Sequence, residues 1–190
     1  RAALDMAGWK PGEFDVLIGA CGVMEQPIPG TSVLIQHALG LGRSGVWTFD
    51  VNQTCLSFLT ALDVAAMGFE TGRFKRALIV SSDIASAGLD LKDPATASIF
   101  GDGAAAICVE AADDKAGPAL LSRRFETYGE GKDLATLRAG GTKVRIEEGF
   151  DALTEASRFR MDAFGIFKAA ARSLPVMIDR VLGEAGLTRE

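Results

Sequence analysis

The sequence has few of the residues that build metal sites and disulfide frameworks. Its 190 residues include one histidine and three cysteines, Cys21, Cys55 and Cys108. An odd number of widely spaced cysteines fits neither a set of disulfides nor a zinc cluster. We therefore predict no metal site, no cofactor, and the reducing cytoplasm as the compartment.

Long apolar runs and an excess of basic residues are also missing. No apolar run reaches the roughly 18 residues that indicate a membrane-spanning helix, so neither a span nor a signal peptide is expected. The net charge of −5 argues against a nucleic-acid partner, which normally requires a basic face. What the chain does have is 48% hydrophobic residues, which predicts a globular protein with a substantial core.

Short apolar runs alternate with segments of helical periodicity, which predicts an α/β fold with parallel, right-handed crossovers. Strands are predicted over 14–21, 46–51, 76–82, 104–110 and 119–128, and helices over 31–39 and 55–71. Residues 129–157 are predicted to be mostly loop, with a possible short strand at 143–147. A last helix is predicted over 161–182, kinked or broken near Pro175 because proline lacks a backbone N–H.

Cys55 lies where a predicted strand gives way to a predicted helix. The first amides of a helix have no intrahelical partner, and the helix dipole favours negative charge there. Such a position stabilises a thiolate, which is the nucleophilic form of cysteine. The alternative is a small buried thiol that only packs; that role is also the one we predict for Cys21 and Cys108.

Other polar positions give weaker indications. The run from Gly101 to Ala106 matches a dinucleotide fingerprint formally, but a strand follows where that motif requires a helix, so a tight Asp-Gly turn is predicted instead. His37 lies inside a helix and is assigned a surface or packing role. Glu25 and Asp83 follow strand ends, where catalytic carboxylates occur, although solvated loop carboxylates are commoner.

Several segments together resemble a known family. They are 49–58 around Cys55, 76–83, 93–110 with its Phe100-Gly101-Asp102-Gly103 run, and the last helix with Ile166-Phe167-Lys168. These segments resemble ketoacyl synthase III of the thiolase superfamily. The resemblance implies a thiolase-like fold, with a mixed sheet covered by helices. Residues 1–128 would form part of its N-terminal half, and 129–190 the loop and opening helix of its C-terminal half.

The resemblance also implies an activity. Cys55 matches the nucleophile that takes an acyl group from acyl-CoA and condenses it with malonyl-acyl carrier protein (malonyl-ACP) to a 3-oxoacyl product, in fatty acid or polyketide initiation. Phe100, Gly101 and Gly103 match a turn that shapes the site. Leu56 follows the nucleophile, and Ile28 matches a residue that reaches the acyl tunnel of the partner in a homodimer.

Departures from the family leave alternatives open. Leu56 and Ser57 stand where the family commonly has a small residue and then glycine. The pattern Cys55-Leu56-x-Phe58 also resembles head-to-head acyl-CoA condensing enzymes of long-chain olefin synthesis. In those enzymes a glutamate in the region of Glu25 acts as base, in a different register against the proline. Pro94 replaces an arginine that stacks on the adenine of CoA. The family histidine and asparagine have no counterparts, so we expect a central fragment unable to complete condensation alone, or a non-catalytic half or assembly subunit.

Overall fold

A four-stranded mixed sheet organises the first part of the chain. The computed structural model describes residues 1–112 and 119–189. The helices are α1 (Ala2–Ala7), α2 (Thr31–Ala38), α3 (Ser57–Glu70), α4 (Pro94–Ala97), α5 (Phe150–Ala156) and α6 (Ala163–Glu184). The strands are β1 (Val16–Gly19), β2 (Trp47–Asp50), β3 (Arg76–Asp83), β4 (Gly103–Glu110), β5 (Ala135–Thr136) and β6 (Arg160–Met161).

The described residues fall into two compact units. One is drawn from Arg1–Ala85 and Gly101–Lys115, and the other from Ser86–Phe100 and Ala116–Glu190. The division expected from the family resemblance, at 128/129, is a different partition and stays a prediction. None of the described helices is long and apolar enough to cross a membrane.

The sheet of the first unit has the strand order β2-β1-β3-β4. Strand β1 runs parallel to both of its neighbours, with Val16 opposite Trp47 on one side and Ala77 on the other. This confirms the predicted parallel crossovers. Strand β4 pairs antiparallel with β3, with Leu78 opposite Cys108. The sheet is therefore mixed, as the family resemblance implied.

Strand β1 is central because all four of its residues are apolar or small and all are buried. Successive side chains of a strand point to opposite faces. Val16 and Ile18 accordingly join a cluster with residues of α3 on one face, while Leu17 joins a cluster with Leu4 of α1 on the other. The two clusters make a helix–sheet–helix core, and the carboxyl end of β1 leads directly to the site described below.

A glycine in α3 is required by this core. A Cβ at Gly68 would lie 2.0 Å from Cζ of Phe74, whose ring is buried and packs edge-to-face on Phe69 at 5.5 Å. Gly68→Ala gains helix propensity but overpacks the core, so we expect a net loss of about 1–2 kcal/mol in the free energy of unfolding. Chemical denaturation measures it.

The matched control for that variant is Gly183→Ala in α6. A Cβ at Gly183 meets nothing within 4 Å, and its backbone has no positive φ. The same change should therefore be neutral or stabilising by about 0.5–1 kcal/mol. An unchanged stability in Gly68→Ala would contradict the packing inferred for Phe74.

Ion pairs and side-chain hydrogen bonds connect several segments of the second unit. The carboxylate of Asp90 accepts hydrogen bonds from Arg158 and Arg160, both at 3.2 Å. The pKa of Asp90 is lowered, mainly by the hydrogen bond from the Lys92 amide and to a smaller extent by the two guanidinium groups. Glu126 accepts from the hydroxyl of Tyr128 at 2.5 Å. This bond, with the guanidinium groups of Arg124 and Arg180, lowers the pKa of Glu126 to about 2.

Three predictions about the second part of the chain are wrong, and a fourth is wrong in one of its two alternatives. Residues 119–128 form no strand, because a strand needs a ladder partner and none of the described residues pairs with them; Ser122 instead donates to Val181 O of α6 at 2.6 Å. A 3₁₀ turn, Ile146–Glu148, replaces the possible strand at 143–147.

Helix α5 lies inside the predicted loop, with Asp151 in its first turn, where an acidic side chain favours a helix start. Helix α6 continues through Pro175, which excludes the predicted break, since the remaining turns tolerate one missing hydrogen bond. The predicted kink at this proline stays a prediction.

Candidate active site

A tight turn connects the end of β2 to the start of α3 and carries Cys55. Its backbone is closed twice, because Leu56 N donates to Gln53 O and Ser57 N donates to Thr54 O, each at 3.1 Å. The side chain of Asn52 supports the same turn, since its Oδ1 accepts from Thr54 N at 3.0 Å. These bonds fix the backbone on both sides of the cysteine.

The thiol of Cys55 is exposed to solvent. Helix α3 begins at Ser57, two residues later than predicted, because the turn uses residues 53–57 before the helical hydrogen bonds begin. Cys55 therefore precedes Leu56, the N-cap residue, which supplies no side-chain cap to the helix amides. The structure thus presents an accessible thiol beside the N-terminus of a 14-residue helix, and the buried alternative is wrong for this cysteine.

The loop that follows β1 lies against this turn. A Cβ at Gly22 would lie 3.2 Å from the carbonyl carbon and oxygen of Thr54, so only glycine allows this approach without displacement. Asn52 Nδ2 donates to Gly22 O at 3.4 Å. Asp83, at the end of β3, accepts from Val23 N at 2.6 Å. Asp83 is therefore a structural carboxylate that fixes the loop under the turn.

The other two thiols have different surroundings. Burial raises the pKa of Cys21, and the negative charges of Asp83 and Asp50 raise it further. The hydrogen bond from Ser82 N to Cys21 Sγ, at 3.4 Å, acts in the opposite direction. Burial likewise raises the pKa of Cys108, which is half-buried in β4. Both thiols occupy the packing positions that the sequence predicted for them.

The remaining candidates of the first unit lie on its surface. Ile28, in a cis peptide bond with Pro29, is 86% exposed, and Leu56 beside the thiol is 44% exposed. Glu25 is exposed, and its backbone N–H donates to Thr31 Oγ1 at 3.4 Å. His37 is exposed in the last turn of α2, which agrees with the surface role predicted for it.

The Phe-Gly-Asp-Gly run does not form the predicted tight turn. Neither Gly101 nor Gly103 has a positive φ, and a Cβ at either would meet nothing within 4 Å. The reason is that Gly103 already begins β4, where it pairs with Asp83, so the chain is extended there. Phe100 belongs to the second unit and packs edge-to-face on Phe159, with ring centroids 5.1 Å apart.

Sequence reasoning missed two residues that hold the turn, Gly22 and Ser57. A glycine directly after a buried strand was the only signal for the first. The signal for the second was a serine close to a helix start, since serine favours caps and turns over helix interiors. No group of three histidine, cysteine or acidic side chains that could hold a metal ion occurs among the described residues.

Comparison with known proteins covers the segment that carries this turn. A family model described as 3-oxoacyl-[acyl-carrier-protein (ACP)] synthase III matches residues 49–129, which include the turn, α3, β3 and β4. The sequence is 32% identical over 189 residues to the beta-ketoacyl-[acyl-carrier-protein] synthase III of Erythrobacter litoralis (strain HTCC2594). That match covers 99% of this chain and 56% of the relative.

Solved structures give the same result. The 3-oxoacyl-[acyl-carrier-protein] synthase III from Aquifex aeolicus VF5 superposes with a TM-score of 0.83 at 29% identity, over 98% of this chain and 54% of that one. The priming beta-ketosynthase from the R1128 polyketide biosynthetic pathway superposes with a TM-score of 0.79 at 27% identity, over 98% of this chain and 53% of that one. The chain thus spans about half the length of the relatives it matches. In sequence and in its thiolase-like α/β fold, the chain is similar to ketoacyl synthase III enzymes over about half of their length.

Proposed function

We propose that the protein carrying this chain is a 3-oxoacyl-ACP synthase III-type acyltransferase with Cys55 as its nucleophile. The thiolate of Cys55 attacks the carbonyl carbon of acyl-CoA, the bond from that carbon to the CoA sulfur breaks, and CoA leaves. Malonyl-ACP then loses CO₂, and the resulting carbanion attacks the acyl-enzyme. The bond to Cys55 Sγ breaks, which regenerates the thiolate and releases 3-oxoacyl-ACP.

The observation that carries this proposal is an exposed thiol on a turn that neighbouring groups hold rigidly. A thioester exchange needs a nucleophile similar in basicity to its leaving group, and a thiol meets that requirement for CoA. The turn, closed at Gln53 and Thr54, supplies the fixed geometry that a reacting group needs. It also lies inside the segment that matches the family model.

Partners follow from the same proposal. The acyl donor would be an acyl-CoA, and the acceptor would be carried by an acyl carrier protein. The names of the matched relatives include the acyl carrier protein. A homodimer is proposed from Ile28, because an 86% exposed isoleucine beside a proline is available to enter a partner's apolar tunnel. Phe100, Gly101, Gly103 and Leu56 remain proposed substrate contacts, and the cytoplasm the proposed compartment.

Product analysis tests the proposal. The complete gene product is incubated with a radiolabelled acyl-CoA, with and without malonyl-ACP, and the products are separated by chromatography. We expect a labelled 3-oxoacyl product only when malonyl-ACP is present, because its decarboxylation supplies the carbanion. A labelled condensation product without the malonyl donor would support the head-to-head alternative instead. No product under either condition would favour a binding or assembly role.

A further inference from the structure

The buried hydroxyl of Ser57 ties the turn that carries Cys55 to the first residue of α3. Ser57 is 1% exposed, so its hydroxyl must find protein partners. Its Oγ accepts from Gln53 N at 2.9 Å and donates to Thr54 O at 2.7 Å, with Cys21 O at 3.4 Å as a second acceptor. One hydroxyl thus links the backbone of Gln53 and Thr54, the two residues before the cysteine, to Cys21, two residues beyond the end of β1.

The backbone that this hydroxyl holds is strained. Thr54, directly before Cys55, has a φ of 49°, in the left-handed region that β-branched residues rarely adopt. Such a conformation is energetically unfavourable and persists only where the surroundings enforce it. The Thr54 carbonyl accepts from both the backbone N–H and the hydroxyl of Ser57. These two bonds oppose relaxation of Thr54 to a negative φ.

We infer that Ser57 is a positioning residue that holds Cys55 in its reactive orientation through the Gln53–Thr54 peptides. Without the hydroxyl, Gln53 N loses its acceptor and Thr54 O loses its shorter donor. The strained residue can then rotate, and rotation at Thr54 changes the direction of the next side chain. This inference rests on the proposed function, because the reactive orientation is defined by the attack of Cys55 on a bound thioester.

The test compares Ser57→Ala with two other variants in the complete gene product. Single-turnover acylation of Cys55 by a labelled acyl-CoA gives a limiting rate and a half-saturating concentration. For Ser57→Ala we expect the limiting rate to fall about tenfold or more, because misplacement of a reacting atom is costly, with the half-saturating concentration unchanged. Ser57→Thr retains the hydroxyl and should recover most of the rate.

Thr71→Val is the matched control at the other end of α3. It also removes a hydroxyl that donates to a backbone carbonyl, that of Met67 at 2.8 Å. It should lower the melting temperature without changing the limiting rate, which separates positioning from general loss of stability. A folded Ser57→Ala with the wild-type limiting rate would overturn the inference. So would a Ser57→Thr that is as slow as Ser57→Ala while melting at the wild-type temperature.

Two further measurements keep the inference testable by other routes. If Ser57→Ala does not fold, hydrogen exchange of the Gln53 amide in the unaltered protein decides: protection is expected from its bond to Ser57, and fast exchange would overturn the inference.

If the wild type takes no acyl label, the proposed function fails, but Cys55 alkylation by iodoacetamide still tests Ser57. We expect Ser57→Ala to alkylate at least about threefold more slowly; an equal or faster rate would contradict the positioning role.

Discussion

Cys55→Ala is expected to abolish the retention of an acyl label by the protein. Transfer from a labelled acyl-CoA requires a nucleophilic sulfur that the donor can reach, and Cys55 is the exposed thiol of the chain. Loss of a nucleophile typically removes all but a residual rate, so we expect label retention to fall at least about 10³-fold. Acid precipitation followed by scintillation counting, with peptide mapping of the labelled protein, measures this loss.

The matched control is Cys108→Ala, which removes a half-buried thiol from β4. It should keep the full label, because burial and a raised pKa make Cys108 a poor nucleophile. Equal labelling of Cys55→Ala and the wild type would exclude Cys55 as the acylated residue. Label that maps to Cys21 or Cys108 would exclude it as well.

Selective alkylation of one thiol out of three is the second large effect that we expect. Near pH 7.5, iodoacetamide should modify Cys55 at least about tenfold faster than Cys21 or Cys108. Two physical reasons act together: Cys55 is exposed, whereas burial both limits access to the other two thiols and raises their pKa values. Because the pKa values of Cys21 and Cys108 are raised, these two thiols ionise only at a pH above that at which an ordinary cysteine ionises.

Mass spectrometry of tryptic peptides over a time course measures the three rates separately. Denaturation in urea is the internal control, because the unfolded chain removes the differences in access and should bring the rates close together. Comparable rates for Cys21 and Cys55 in the native protein would contradict the burial of Cys21 and the presentation of Cys55. This measurement needs no substrate, so it tests the geometry of the site independently of the proposed reaction.

The fold of the first unit could be predicted from local patterns. Four apolar runs gave β1 to β4 within two residues at each end, and the helical periodicity of 55–71 gave α3 within two residues. These elements are predictable because each buries its own apolar residues in the core. The segment 119–128 has the same apolar character but no ladder partner among the described residues, so local pattern could not reveal that it is not a strand.

The place of the candidate thiol was predictable from the sequence, and the residues that support its turn were not. Cys55 was indicated by its place between a strand and a helix and by the family resemblance. The role of Gly22 depends on a 3.2 Å approach between residues 32 positions apart, and that of Asp83 on a hydrogen bond to Val23, 60 positions away. Such contacts arise when parallel strands bring their carboxyl ends to one edge of a sheet. No spacing along the chain encodes them.

The amino-acid order alone determined the alternation of strands and helices, the burial of β1 and the identity of the thiol before α3, because these depend on residue type and near neighbours. Tertiary structure decided that this thiol is exposed while Cys21 is buried, and that Thr54 is held in a left-handed conformation by Ser57 and Gly22. The difference is physical, since accessibility and strain depend on what the rest of the chain places around a residue.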